Sequence, residues 1–499
     1  MAKRLVPSIV TGLLSILEIL IALQIFQFNI IPMKYFLIMV IAMILVDLLI
    51  VILVFSRSKK NWNLRRVLGY LLSMFVVLAL FFTSQGIAKI QETMDAVTQT
   101  TQVSAVFELY VLKDNLAETL EDVTDDKIAV TESIDSENLQ MTMDVMEETL
   151  GSEVSFVRYD NLFSMIDALY QKEAGALLLN SAYVDLLTEL ENYTDFQERV
   201  KCIWKYDIHQ IVEEKVEDIS EEESMVEEKS EYAPFAVYIS GSDTRSKKLK
   251  TSRSDVNILA VVNPQTEQIL LVNTPRDYYI PNPAGKGASD KLTHCGIYGV
   301  ECSMEALAGL YDEEIQYYGQ INFTGFETLI DAIGGVDVYS EVAFTTFRGN
   351  YNIVQGMNHL NGEQALGFAH DRYSLKGGDN ARGQNQMQVI KAVIAQISAG
   401  NIITNYSEIM DSLQGMFATN ISADKISGLV KLQISDMIHW DVKSYAVTGR
   451  GDSAKTYSIP GMNAYVMWPD QETVDHAKML IDKVMSNEIL TDEDMIYKI

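Results

Sequence analysis

Three apolar runs open the chain, at about residues 9–28, 35–55 and 67–88, and they constrain its folding more than any other feature. Each approaches the roughly 20 residues a helix needs to cross a bilayer core, where backbone polar groups must be satisfied within the segment. A cleavable leader is not followed by two further spans, so all three are read as retained. Lys3 and Arg4 precede the first run, and Arg57, Lys59, Lys60, Arg65 and Arg66 fill the second connection; the first connection holds only Lys34. Excess Lys and Arg mark the cytoplasmic side. The N-terminus and second connection are therefore expected inside, and everything after about residue 90 outside. Glu18 and Asp47 fall within spans, where charge is costly. Either a polar relay to a partner or a protonated carboxyl shared between helices accounts for them.

At 499 residues the chain is too long for one ordinary domain, so two folded units are expected beyond the membrane segment. A net charge of −29 beside 48% hydrophobic residues is reconciled by concentrating apolar residues in the spans and acidic ones elsewhere. That acidity argues against nucleic acid as a partner, which would need a basic face. Cys202, Cys295 and Cys302 are too few for a disulfide framework. Cys295 and Cys302 could pair, but buried free thiols are the expectation. The six histidines lack HExxH or Cys/His ligand spacing, which argues against a structural zinc.

Residues 105–112, 127–131, 154–159 and 176–179 read as strands, alternating with helices at 136–150, 161–171 and 183–192. This predicts a small α/β accessory domain over 98–212, a spacer or docking surface with no catalytic constellation. The dense acidic run 213–231 reads as a solvated linker, ending near residue 232. It lacks the spacing and glycine of a calcium loop. From 233 to 485 strands are expected at 235–239, 256–262, 268–274, 444–448 and 465–467, and helices at 302–311, 323–333, 362–368, 382–398 and 471–485. The pattern predicts an α/β/α sandwich.

Polar residues of one theme follow the apolar strands. Asp243 lies in Gly-Ser-Asp-Thr-Arg, Arg253 and Asp255 stand two apart before a strand, and Arg276-Asp277 close another. Loops at strand ends gather ligands in open α/β sheets. His370-Asp371-Arg372 follow a short helix and lead to a glycine-containing stretch in which Arg382 and Gln386 are four apart. A helix N-terminus with Arg and an amide on one face suits an anion. Carboxylates beside an arginine cluster suit a cation such as Mg2+, which bridges phosphates. From composition alone, a surface salt-bridge network accounts for the cluster equally well. Neither a P-loop nor GxGxxG is present.

The segments SGSDTR (240–245), RSDVNILAVVNP (253–264), LLVNTPRDYYIP (270–281), DKLTHCG (290–296), YGQINFTGFETLIDAIGGVDV (318–338), GEQALGFAHDRYSL (362–375) and GDNARGQNQMQVI (378–390) occur in the order of the LytR–CpsA–Psr envelope phosphotransferases. The chain resembles that family over about residues 233–470, particularly its CpsA-like members, which also carry three spans and an accessory domain. The resemblance implies transfer of capsular or other wall polysaccharide from a polyprenyl-pyrophosphate carrier to peptidoglycan, with Mg2+ or Mn2+. It implies metal-associated Asp243 and Asp255, core-site Arg253 and Arg276, and pyrophosphate held by Arg276, Arg382, Gln386 and Arg372. Capsule assembly proteins are implied as further partners. His370 departs from the family's Arg-x-Arg pair; it lacks the bidentate fork and is charged only when protonated. Its contact is expected to be weaker, pH-dependent, or taken over by Lys376 or Lys291.

The expected chemistry is in-line displacement at phosphorus, with Mg2+ and arginines offsetting charge. Asp255 or Asp243 could instead take the acceptor proton. Apolar stretches 258–262, 270–272, 323–333 and 389–397 either wall a lipid pocket or are simply core. Alternatives are a non-catalytic polyprenyl-pyrophosphate-binding regulator of assembly and a pyrophosphatase releasing free polymer. The Arg450-Gly451-Asp452 triplet is assigned no role.

Overall fold

The computed structural model describes residues 2–56, 64–98, 102–131, 135–187, 190, 192–211, 232–245, 248–398, 413–460 and 462–496. The acidic run 213–231 and the basic residues Arg57, Lys59 and Lys60 lie outside them. The chain divides into two compact units, one of 1–98 with 397–411 and 421–439, the other comprising the remainder.

In the first unit the apolar runs form helices Ala2–Phe28, Met33–Val54 and Leu64–Thr98. Each contains a stretch long and apolar enough to cross a membrane, of 24, 22 and 29 residues. Leu14, Ile21, Ile50, Val54 and Leu80 pack between them, while many other apolar side chains face outward. Ser15 on the first helix donates to Asp47 on the second at 2.7 Å, and Glu18 is buried nearby in sequence. This agrees with an interhelical role for the two carboxyls. The helix Ala423–Asp436 belongs to the same unit; Lys431 Nζ reaches Asn29 Oδ1 at 2.9 Å, and Lys34 Nζ reaches the Ser435 carbonyl at 2.7 Å.

The second unit begins with strands β1 (Gln102–Leu112), β2 (Lys127–Val130), β3 (Ser155–Arg158), β4 (Ala176–Asn180) and β5 (Val200–Ile211), in sheet order β3-β2-β4-β1-β5. Helix Ser136–Leu150 ends at Gly151 in the left-handed region, and Leu162–Tyr170 is capped by the Asn161 side chain. The helix expected at 183–192 is shorter, Ala182–Leu187, followed by Phe196–Arg199. Strand β5 was not anticipated. Its long antiparallel pairing with β1 spans about a hundred residues of sequence and leaves no local mark beyond alternation.

A six-stranded mixed sheet follows, built from β6 (Phe235–Ser242), β7 (Ser254–Asn263), β8 (Gln268–Asn273), β11 (Tyr317–Asn322), β16 (Phe417–Thr419) and β17 (Asp441–Ala446), in order β16-β11-β6-β7-β8-β17. Paired strands β9 (Tyr279–Pro281) with β10 (Ser289–Lys291), β12 (Val336–Ser340) with β15 (Gly356–Leu360), β13 (Phe344–Thr345) with β14 (Asn352–Ile353), and β18 (Gly449–Lys455) with β19 (Asn463–Pro469) flank it. Strand side chains alternate between faces. Leu259, Val261, Leu270 and Val272 meet helices Val300–Tyr311 and Gln471–Met485, whereas Ile258, Ala260, Ile269 and Leu271 meet Met387 and Ile390 of helix Asp379–Ser398. Helices thus cover both faces, giving the expected α/β/α sandwich. The cysteines are free thiols, Cys295 and Cys302 buried in one core cluster and Cys202 partly exposed.

Candidate functional site

Antiparallel register gathers the first residues of the site. Ser242 pairs with Ser254, so the end of β6 adjoins the start of β7; Ile258 pairs with Asn273, so the end of β8 arrives at the same edge. Asp243, Arg253, Asp255 and Arg276 are thereby brought together from three strands. Arg276 Nη1 donates to Asp255 Oδ1 at 2.9 Å, Thr293 Oγ1 approaches the same oxygen at 3.4 Å, and Arg253 Nη2 meets Asp243 Oδ2 at 3.4 Å. Asp277 lies within 3.8 Å of Arg276 and 3.3 Å of Lys291.

The remaining residues come from helices on one face of the sheet. Gly377 and Gly378 both have positive φ, and this turn starts the helix at Asp379, three residues before the expected position. Arg382 and Gln386 are buried one turn apart, and Arg382 is ion-paired with Asp379. Gly383 permits this approach, since a Cβ there would stand 2.2 Å from Asn273 Nδ2 at the end of β8. His370 is the last residue of helix Gly362–His370, not beyond it, and its ring meets Phe323 edge-on at 5.3 Å. Arg372 is half-buried; it donates to the Tyr373 hydroxyl at 2.6 Å and lies over that ring.

Burial alone would raise Asp255, but Arg276 foremost, with Arg253 and Arg382, reverses that and holds the carboxyl well below the usual range. Asp379 shows the opposite outcome: burial outweighs Arg382 and raises it. Burial, reinforced by Arg348, brings His370 down to about 4, so the imidazole is neutral at neutral pH.

Beside this cluster lies a cavity of about 390 Å³. Its wall is apolar: Val237, Ile239 and Val262 from the sheet, Phe326 and Leu329 from helix Phe323–Ala332, and Val393 and Ile394 from Asp379–Ser398. Asp255, His370, Arg382 and Gln386 line it too. Val237 and Ile239 are only half-buried, whereas Ala236 and Tyr238 on the opposite face are fully buried. The sheet is therefore solid on one side and hollow on the other. All four stretches anticipated as walls contribute; of the two on the sheet, only the side chains on the hollow face do so, Ala260 and Val262 from the first and Leu271, but not Leu270 or Val272, from the second.

Lys291 is buried against Asp277, and Lys376 is exposed in a separate cleft with Gln384 and Asn385. Neither lines the cavity. Sequence reasoning missed Thr293, Asp379 and Arg348. Thr293 and Asp379 stand inside the segments 290–296 and 378–390 without a mark of their own, but Arg348 lies in a turn with no signature and reaches the site only through folding.

The LytR_cpsA_psr family model matches residues 203–476, more than half of the chain. A polyisoprenyl-teichoic acid–peptidoglycan teichoic acid transferase TagU of Enterococcus faecalis is 33% identical over 193 residues, 38% of this chain and 63% of that protein. The same-named protein of Bacillus anthracis is 30% identical over 237 residues, 46% and 77% respectively. For the first relatives, the match spans just under two thirds of their length, 63% and 65%. The crystal structure of Bacillus subtilis TagV shares 22% identity over 52% of this chain and 99% of its own, with TM-score 0.43. Streptococcus agalactiae protein gbs0355 shares 25% over 55% and 93%, with TM-score 0.45.

Proposed function

The chain belongs to the LytR–CpsA–Psr family, and from that premise we propose that it transfers a wall glycopolymer, such as a capsular polysaccharide, from a polyprenyl-pyrophosphate carrier to peptidoglycan. One observation carries this reading. An apolar cavity is bordered by Arg382, Gln386 and His370 and adjoins Arg276, a combination suited to a ligand with a long hydrocarbon tail and an anionic head. Relatives named as teichoic acid transferases to peptidoglycan support the reaction class.

In this mechanism an acceptor hydroxyl attacks the phosphorus bearing the glycan. The new oxygen–phosphorus bond forms as the bond to the bridging oxygen breaks, polyprenyl phosphate leaves with that electron pair, and the hydroxyl's proton passes to solvent water. Arg276 and Arg382 offset the charge on the phosphoryl oxygens and leaving group. Asp255, held ionised by three arginines, is suited to act as a fixed anion and is a poor proton acceptor. Among the described residues no group of three or more His, Cys, Asp or Glu could hold a metal. Mg2+ commonly takes only one or two carboxylates, with phosphate oxygens and water completing its shell, so Asp243 and Asp255 would be the residues to hold it beside a bound ligand. There it would supply further neutralisation of phosphate charge.

The same reading places the second unit outside the cell. Its support is the charge bias of the connections, together with Lys34 and Asn29, which lie in the expected outer connection and meet Ser435 and Lys431 from late in the chain.

The test uses the full chain in detergent with Mg2+, lipid-linked glycan and peptidoglycan. We expect glycan attached to peptidoglycan, and a loss of about 10²–10³-fold with Arg276→Ala. Tight binding without product would favour an assembly regulator, and free polymer a pyrophosphatase.

A further inference from the structure

A second, smaller cavity of about 140 Å³ lies beyond His370, lined by Arg245, Glu327, Arg348, Tyr351 and Glu363, with Phe323, Leu366 and His370 forming walls common to both cavities. Its carboxylates are already engaged. Glu327 accepts from Arg245 at 3.2 Å, and Glu363 accepts from the Tyr351 hydroxyl at 2.9 Å. Arg348 is left over: it is exposed and makes no ion pair among the described residues.

The position of Arg348 is nonetheless well defined. Thr346 and Tyr351 brace the turn: the Thr346 N–H donates to the Tyr351 carbonyl at 2.9 Å, and Thr346 Oγ1 to the Arg348 carbonyl at 2.7 Å. The Phe347 N–H then donates to Asp371 at 2.6 Å, and the Phe347 ring contacts Tyr373 at 4.9 Å. The Arg348 carbonyl also passes close to Gly367, where a Cβ would be 3.3 Å away, one turn before His370. The turn is thus anchored on both sides of His370 and Arg372.

We propose that Arg348 is a further anion-binding residue, delivered by this turn to hold a phosphate of the ligand on the flank of His370. The inference rests on the pyrophosphate reading of the site. A neutral imidazole can donate one hydrogen bond but carries no charge, whereas a guanidinium beside it supplies both charge and a fork of donors. Neither Lys376 nor Lys291 is placed for that task.

Binding of geranylgeranyl pyrophosphate and of geranylgeraniol to the full chain in detergent tests the proposal. Arg348→Ala should weaken the pyrophosphate at least tenfold and leave the alcohol unchanged. Arg348→Lys should retain part of the affinity, and His370→Arg should restore it in the Arg348→Ala background. Wild-type affinity in Arg348→Ala, while Arg276→Ala loses binding, overturns the role of Arg348 and leaves the site reading intact. Equal weakening toward both probes also overturns it, as a packing effect. No preference of the wild-type chain for pyrophosphate over alcohol overturns the site reading, and this inference with it.

Discussion

Asp255 and His370 both line the cavity beside the same arginines, which act on them in opposite ways. For a carboxylate the guanidiniums counter the effect of burial; for an imidazole they add to it. The consequences fall in separate pH windows. His370 has a folded value of about 4, below its ordinary 6.5. Between these values the unfolded chain takes up a proton that the folded chain refuses, so stability is full above pH 6.5 and declines as pH falls toward 4. Asp255 is depressed as well, but from a lower ordinary value, so its contribution holds above about 3.9 and fails only below. We expect the melting temperature to fall between pH 6.5 and 4, and His370→Gln to flatten part of that fall. An unaltered slope would contradict the assignment. At this scale the sequence was informative where residues sit in motifs: Asp243, Arg253, Asp255, Arg276, Arg382 and Gln386 are read directly. Arg348 was not legible, because nothing local distinguishes it from any exposed arginine.

Helix Asp379–Ser398 performs two tasks at the scale of elements. Its first turns carry Arg382 and Gln386, while Val389, Ile390, Val393 and Ile394 continue along the cavity wall. One helix therefore aligns an anionic head with an apolar tail, and Gly383 sets how closely it lies on β8. If the cavity takes the tail, Val393→Trp should fill it without disturbing the arginines. Affinity for a polyprenyl pyrophosphate should then fall at least tenfold while that for inorganic pyrophosphate stays unchanged; parallel losses would show that the head site had moved. The apolar periodicity of this helix was legible in the sequence. Whether it packed solidly was not, because lining and core residues obey the same pattern.

At the scale of the second unit, the accessory part and the sandwich keep their own cores but are joined through one shared apolar cluster. Ile297 and Ile459 pack among Leu162, Tyr183 and Phe196 of the accessory part. A buried chain of hydrogen bonds runs beside them: Tyr183 to Tyr298 at 2.9 Å, Tyr298 with Ser458 at 3.1 Å, and Ser458 to Asp290 at 2.5 Å. Asp290 also holds His294 at 2.6 Å, within the short helix that presents Thr293 to Asp255. The accessory part is thus continuous with the support of the site. Ile297→Ala should cost roughly 2–5 kcal/mol, and in thermal unfolding the accessory and site regions should melt together; two independent transitions would contradict that joining. The sequence by itself determined the three spanning helices, the alternation of strands and helices, and the family motifs, because each depends on periodicity, charge or residues close in the chain. Only the tertiary structure decided the pairing of β1 with β5, the hollow face of the sheet, the placement of Arg348 and the joining of the two folded parts. Those depend on contacts between residues far apart in sequence, whose side chains carry no local record of what they will meet.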